Sequence, residues 1–301
     1  AAELPRRIAV VGAGPAGLAA ATTLAGRGHR VSLFDAAEAV GGQFNYARRI
    51  PGKEDFAETL RYFRTRLADL EVDLHLGQAV AATDLAGFEH VVVATGITPR
   101  RPNIPGIDHS KVTGYIDVIE GRREAGRRVA IIGAGGIGFD VAELLTHSAD
   151  AGDPVGAYRR EWGIDPAYTD RRGGLTAPQM PTPPREVWLL QRKSSKVGGG
   201  LAKTTGWARN LLLRKRGVHM LGGVEYLGID DAGLHIQVDG QVRTLEVDTV
   251  VICAGQEPNR ALAADLEAAG IPHTLVGGAD VAAELDAKRA IWQATEVAGA
   301  L

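Results

Sequence analysis

The chain carries two kinds of apolar segment. Uninterrupted runs of mostly branched residues recur as RIAVV at 7–11, RVSLFD at 30–35, HVVVATG at 90–96, RVAII at 128–132, EVWLL at 186–190 and DTVVICAG at 248–255. A strand covered on both faces needs no polar alternation, so these runs predict parallel strands of an α/β sheet. The second kind is short and alternating: GVHML, VEYLGID, GLHIQV and VRTLEV, between residues 217 and 247, predict an antiparallel layer.

Two of the buried runs lead into glycines at G-x-G-x-x-G spacing and then into a helix. The first set is Gly12, Gly14 and Gly17, followed by a helix predicted over Pro15 to about Gly26. At this spacing the first glycine makes a tight turn, the second lets backbone approach a pyrophosphate, and the third lets helix pack on strand. Helix N–H groups and the positive dipole end then face the phosphates. The next strand ends in Asp35, eighteen residues past Gly17, where a carboxylate accepts ribose hydroxyls. After it, Gly41 and Gly42 bring backbone close once more, and Gln43 offers an amide; a plain loop fits these three as well. HVVVATG ends in Thr95-Gly96, and ITPRRPNIPGID reads as a stiff connector out of the domain.

The second set, Gly133, Gly135 and Gly138, has no acid at the usual distance. Residues 148–184, rich in Gly, Pro and charge, intervene, and the run EVWLL ends instead in Gln191-Arg192-Lys193-Ser194-Ser195-Lys196. Cations here favour a 2′-phosphate over a free 2′-hydroxyl, with Arg192 suited to fork onto phosphate oxygens, so this turn predicts NADPH rather than NADH. GGGLAKTTGW at 198–207 is not a P-loop, because Ala202 rather than glycine precedes Lys203. A helix predicted from about Thr204 leaves Lys203 and Trp207 either at a nucleotide clamp or in a structural loop. The closing segment, residues 274–298, predicts a strand, a glycine turn and an amphipathic helix. Asp280 in that turn fits either a polyol contact or an N-cap.

Composition narrows the function classes. With 301 residues and 45% hydrophobic content, two domains can be filled. A net charge of −2 leaves no basic footprint for nucleic acid. One cysteine, Cys253, excludes an internal disulfide, a CxxC pair and any multi-thiolate metal site built from this chain, and inside its strand it reads as packing. No apolar run approaches the ~20 residues needed to cross a bilayer, no membrane partner is expected, and a cytoplasmic location is the expectation. The opening Ala1-Ala2-Glu3-Leu4-Pro5, without Met, fits a fragment.

The two fingerprints, the ATG-like exit and the GGAD turn resemble the two-dinucleotide flavoproteins related to glutathione reductase. More closely, GGQFNYARRIPGKEDFAETLRYFR, AIIGAGGIGFDVAELL, EWGID, LLQRKSSKVGGGLAKTTGW and VICAGQEPNRAL resemble the C-terminal portion of bacterial 2,4-dienoyl-CoA reductases. The resemblance implies two Rossmann-like dinucleotide-binding domains: an FAD domain of residues 1–110 and 257–301, and an NADP domain of 111–256 inserted in it. It places FAD against Gly12, Gly14, Ala16, Gly17, Asp35, Gly42, Gln43, Lys53, Val80, Ala94 and Gly96, with Gly278, Asp280 and Arg289 at the flavin end. NADPH falls to Gly133, Gly135, Gly136, Arg192, Lys193, Lys196 and Trp207.

That family also carries an N-terminal barrel with FMN, the acyl-CoA site and a cysteine cluster holding a 4Fe–4S centre. None of these is in this chain, so the resemblance implies an electron-input module that passes a hydride from NADPH to FAD with no catalytic acid or base, and hands electrons to an FMN/Fe–S barrel in cis or in trans. Two other readings stand beside it: a stand-alone NAD(P)H reductase serving a separate Fe–S flavoprotein, and a nucleotide-binding scaffold without turnover. A disulfide reductase is excluded by the single cysteine.

Overall fold

The computed structural model describes residues 2, 4–148, 152–169, 171–282 and 287–301. The chain runs through β1 (Arg7–Val11), α1 (Pro15–Gly26), β2 (Arg30–Phe34), α2 (Gln43–Ala47), α3 (Phe56–Asp69), β3 (Asp73–His75), β4 (His90–Val93) and β5 (Ile97–Pro99). It continues with β6 (Val112–Gly114), α4 (Tyr115–Glu120), β7 (Arg128–Ile132), α5 (Gly136–Thr146), α6 (Pro154–Trp162), α7 (Arg171–Gly174), β8 (Glu186–Leu190) and α8 (Gly206–Lys215). Five strands follow: β9 (His219–Leu221), β10 (Glu225–Asp230), β11 (Gly233–Val238), β12 (Gln241–Leu245) and β13 (Thr249–Ile252). The last elements are β14 (Gln256–Pro258), α9 (Ala261–Ala268), β15 (His273–Leu275) and α10 (Ala287–Ala300).

These elements form two compact units, one ending at Arg100 and resuming at Gln256–Leu301, the other Arg101–Gly255. The division falls about ten residues before the boundary expected near 110. The reason is apolar: Ile104 and Ile107 of the connector pack with Ile229, Leu234 and Ile236, and Ile229 N–H donates to the Pro105 carbonyl at 2.9 Å. The connector is thus a wall of the second unit rather than a free linker.

The first unit is built on a parallel sheet of order β15-β4-β1-β2-β3. Successive side chains of a strand point to opposite faces, and both faces of β1 are covered. Ile8 and Val10 pack with Leu18, Ala20 and Leu24 of α1 and with Ala294 and Ala298 of α10, whereas Ala9 and Val11 pack with Leu85, Val91, Val93 and Leu266. This explains the uninterrupted apolar run, and each fully buried Leu or Val contributes about 1.5–3 kcal/mol. Alanines on the facing sides of α1 and α10 let the two helices approach closely. At the N-terminal edge of the sheet, Arg6 N–H donates to His29 Nδ1 at 3.2 Å, which leaves the His29 Nε2 proton buried without an acceptor among the described residues. A two-stranded antiparallel ladder, Gln256 opposite Pro99 and Pro258 opposite Ile97, joins the outgoing and returning chain.

The second unit repeats the plan with a parallel sheet of order β6-β13-β7-β8-β9. Beside it lies an antiparallel sheet of order β10-β11-β12, with register shifted between Tyr226 and Gly228. GVHML, expected in that antiparallel layer, joins the parallel sheet instead: Met220 pairs with Leu189. Its three-residue strand follows α8, and a helical crossover returns the chain parallel to the strand it left. Within 148–184, α6 is fixed by Asp153, whose Oδ1 accepts the Gly156 N–H at 2.8 Å, and by Pro154 in the first turn. None of its residues is buried, and Glu161 near its end binds the buried Arg216 guanidinium at 2.8 Å. Among the described residues no helix is long and apolar enough to cross a membrane.

Candidate nucleotide-binding sites

In the first unit, the turn between β1 and α1 leaves no room for a side chain at its first glycine. Gly12 has φ +106°, its N–H donates to the Phe34 carbonyl at 2.7 Å, and a Cβ there would strike the Ala94 carbonyl. A Cβ on Gly17 would strike the Gly12 carbonyl in turn. Gly14 caps α1 with extended backbone and no side-chain acceptor, so the first N–H groups of the helix remain available to an anion. Asp35, one residue past β2, takes the Ala13 N–H on Oδ2 at 2.6 Å and the Ala37 N–H on Oδ1 at 2.8 Å. Each oxygen keeps a further lone pair, so the carboxylate ties the glycine turn to its neighbour and still presents acceptors to a hydroxyl.

Three further loops gather at this C-terminal edge of the strands. Gly41 N–H donates to the Ala13 carbonyl at 2.8 Å, and Gly42, at φ +49°, lies so close that a Cβ would be 2.9 Å from Gly14 Cα. A Cβ on Gly277 would meet Ala16 at 2.7 Å, and one on Gly278 would meet Ile97 at 2.8 Å and the Gly96 carbonyl carbon at 3.2 Å. Predicted residues Gly12, Gly14, Ala16, Gly17, Asp35, Gly42, Ala94, Gly96 and Gly278 therefore form one cradle. Gln43 opens α2 beside it, Lys53 lies in the turn between α2 and α3, and Val80 packs on the cluster containing Phe34.

The far end of this cradle joins the expected Asp280 and Arg289 to two residues that the sequence did not single out, Gln293 and Arg260. Gln293 of α10 donates from Nε2 to Asp280 Oδ2 at 2.6 Å, and its Oε1 accepts the Gly277 N–H at 2.8 Å. Arg260 donates from Nε to the Ala279 carbonyl at 3.0 Å and from Nη2 to the Asp280 carbonyl; Arg289 donates to the Val281 carbonyl at 2.7 Å. Asp280 closes a short 3-10 turn, Gly277–Ala279, and α10 begins at Ala287. The stretch 283–286 of the predicted helix lies outside the described residues.

The second unit copies the turn almost bond for bond. Gly133 has φ +112°, its N–H donates to the Leu190 carbonyl at 2.9 Å, and a Cβ there would strike the Cys253 carbonyl. A Cβ on Gly138 would strike the Gly133 carbonyl, and Gly135 caps α5 without a side-chain acceptor. Cys253 thus holds the place of Ala94. It lies one residue beyond β13, half-buried, rather than inside the strand, and burial followed by the Asp140 carboxylate pushes its thiol well above the ordinary range. Such a thiol is neither a ready nucleophile nor a metal ligand.

Here the resemblance between the turns stops. Ideal Cβ atoms on Gly135 and Gly136 meet nothing within 4 Å, so this turn is uncovered. No carboxylate follows β8. Arg192, Lys193 and Lys196 are exposed and make no ion pair among the described residues, whereas Arg128, Arg209 and Arg216 are each bound to acids. Burial raises the Tyr226 phenol on β10, and the nearby Arg192 charge lowers it. α8 begins at Gly206, two residues past the expected Thr204; it packs on α5 through Arg209, which binds Asp140 and Glu143. Trp207, 66% exposed, donates its indole N–H to the Thr204 carbonyl at 3.1 Å. A cleft of about 640 Å³ lies at the opposite, N-terminal edge of β7 and β8, lined by Arg127, Arg128, Arg185, Glu186, Arg216 and Asp248. Arg128 and Arg216 there are committed to carboxylates, and neither G-x-G-x-x-G turn contributes to its lining. Among the described residues no group of three or more His, Cys, Asp or Glu is arranged to hold a metal ion.

Comparison with known proteins settles the class. The pyridine nucleotide-disulphide oxidoreductase family matches residues 6–300. The chain belongs to this family. It is a flavoprotein-type oxidoreductase with a pyridine nucleotide site, although its lone Cys253 supplies no dithiol of its own. A metal reductase of Desulforamulus reducens is 29% identical over 264 residues, covering 86% of this chain and 38% of that protein. A cinnamate reductase of Clostridium sporogenes is 34% identical over 151 residues, covering 48% and 22%. The structure of a 2-naphthoyl-CoA reductase complex matches with TM-score 0.80 and 25% identity over 99% of this chain and 40% of that one. The match therefore spans about two fifths of the length of the metal reductase and of the 2-naphthoyl-CoA reductase, and about one fifth of the cinnamate reductase. The thioredoxin reductase of T. acidophilum, 17% identical, shares the fold over 98% of both chains at TM-score 0.68.

Proposed function

We propose that this chain is the electron-input part of a larger NADPH-dependent reductase, with FAD resident in the first unit, NADPH visiting the second, and a 2,4-dienoyl-CoA of fatty acid β-oxidation reduced by a partner region. The observation that carries this reading is the pair of duplicate glycine turns with opposite surroundings: one closed over by Gly42 and followed by Asp35, one open and followed by exposed cations that form no ion pair among the described residues. Bound FAD supplies the means to accept a hydride from NADPH and to release electrons singly.

The residues of the chain do the holding. Gly12, Gly14 and Gly17 admit a pyrophosphate against the N-terminus of α1, and Asp35 accepts ribose hydroxyls. Asp280, steadied by Gln293, faces the polyol end. Arg192, Lys193 and Lys196 bind a 2′-phosphate through charge-assisted hydrogen bonds. Hydride transfer needs alignment and exclusion of water rather than a side-chain acid or base, so no proton donor is assigned.

Support for the acyl-CoA assignment is the likeness to bacterial 2,4-dienoyl-CoA reductases and to the 2-naphthoyl-CoA reductase. With one cysteine, the chain leaves the FMN and Fe–S steps to a barrel domain in cis or in trans, in the cytoplasm. Anaerobic stopped-flow mixing of the flavin-loaded chain with NADPH tests the reading: the flavin absorbance bleaches, and faster than with NADH. Flavin that binds and is never bleached would sink the enzyme reading, and equal rates would sink the role of the three cations.

A further inference from the structure

The loop that follows β8 is shaped by a residue that carries no charge. Gln191 uses both amide hydrogens inward: Nε2 donates to the Lys193 carbonyl at 2.9 Å and to the Ser195 carbonyl at 2.6 Å. Its backbone is pinned at both ends, N–H to the Leu221 carbonyl at 2.9 Å and carbonyl from the Val224 N–H at 3.0 Å. The Lys193 carbonyl also accepts the Gly223 N–H at 2.9 Å. From the other side, Gly222 completes the seat; a Cβ there would lie 3.1 Å from the Lys193 oxygen and 3.2 Å from the Ser195 oxygen. Two carbonyls that would otherwise oppose an incoming anion are thereby turned onto one amide, while Arg192, Lys193, Ser194, Ser195 and Lys196 stay exposed on a single short turn.

Holding like charges together on a flexible loop costs conformational entropy, and side chains of this kind lose up to ~2 kcal/mol each on ordering. A loop already folded on its own glutamine removes part of that cost before the ligand arrives. We propose that Gln191 is the positioning residue for nucleotide choice: by binding the Lys193 and Ser195 carbonyls it fixes the turn on which Arg192, Lys193 and Lys196 read the 2′-phosphate. This rests on the reading that the second unit takes NADPH. Gln191 itself need not touch the nucleotide.

The test uses the full chain and two small ligands that need no flavin, adenosine 2′,5′-bisphosphate and 5′-AMP, with affinities from calorimetry. Wild type prefers the bisphosphate by about tenfold or more, and added salt erodes the preference. Gln191→Leu, which keeps the bulk and loses both donors, lowers that ratio by about tenfold with 5′-AMP binding unchanged. Gly222→Ala disturbs the same two carbonyls from the opposite side and shifts the ratio in the same direction. A wild-type preference that both variants retain overturns the inference and leaves the NADPH reading standing. No preference in wild type overturns both. Equal loss of both ligands in both variants shows a merely structural loop and also overturns it.

Discussion

The two glycine turns are one backbone solution in two electrostatic settings. Gly12 against Ala94 and Gly17 against Gly12 in the first unit correspond to Gly133 against Cys253 and Gly138 against Gly133 in the second, and each first glycine donates to the carbonyl ending the neighbouring strand. The first turn is roofed by Gly42 and answered by a carboxylate; the second is open and answered by cations. On the function proposed above, backbone geometry selects the class of ligand, a dinucleotide, while the roof and the charge after the second strand select which dinucleotide and how long it stays.

The sharpest way to break this comparison is to put a methyl group on each first glycine. Gly12→Ala and Gly133→Ala both collide with a carbonyl at positive φ, and each should cost about 3 kcal/mol or more. Their readouts separate: the ratio of flavin absorbance to protein collapses for Gly12→Ala, whereas Gly133→Ala keeps flavin and loses bleaching by NADPH. Loss of flavin in both alike would end the division of labour. Next in size is the substitution of Arg192 and Lys193 together by alanine, expected to raise the dissociation constant for NADPH by about 10–100-fold. NADH affinity, measured by the same fluorescence titration, stays within about twofold.

Smaller effects test the roof and the clamp. Gly42→Ala, at φ +49° and against Gly14, should weaken flavin retention, while Gly135→Ala, with open space around it, should leave the melting midpoint of the protein where it was. Gln293→Leu leaves the Asp280 carboxylate and the Gly277 N–H unpaired and should cost about 1–3 kcal/mol in denaturant unfolding.

The smallest effect concerns acid. His29 and His90, both in the first unit, are held below the ordinary imidazole value of 6.5, first by burial and then by neighbouring positive charge. Below about pH 6.5 the unfolded chain therefore takes up more protons at these two groups than the folded one does. Their contribution is complete above that pH and is lost as pH falls. The unfolding midpoint of the first unit should therefore drop between about pH 7 and 5, with a shallower slope in a His29→Gln, His90→Gln variant.

The sequence made the sheets and the turns legible because their constraints are local: an uninterrupted apolar run, glycines at fixed spacing, and the charge at the end of the next strand. α1 lies over Pro15–Gly26 as expected. GVHML was misleading because a three-residue edge strand alternates no differently in a parallel than in an antiparallel setting; only the preceding α8 decides. Gln191, Gln293 and Arg260 were silent for a different reason. Their partners are backbone groups and one carboxylate brought near by folding, and a lone amide or guanidinium has no periodicity to betray it.

The ladder between β5 and β14 has a consequence for synthesis. The first unit gains the edge strand β15 and the helix α10 only from residues after Gln256, so the ribosome delivers the whole of the second unit before the first can close. Until then Ile8, Val10 and Leu18 lack the covering of Ala294 and Ala298. A released chain truncated just past Pro258 should therefore resist protease over 101–255 and be cut readily within 1–100. Translation order completes the inserted unit first and the enclosing unit last.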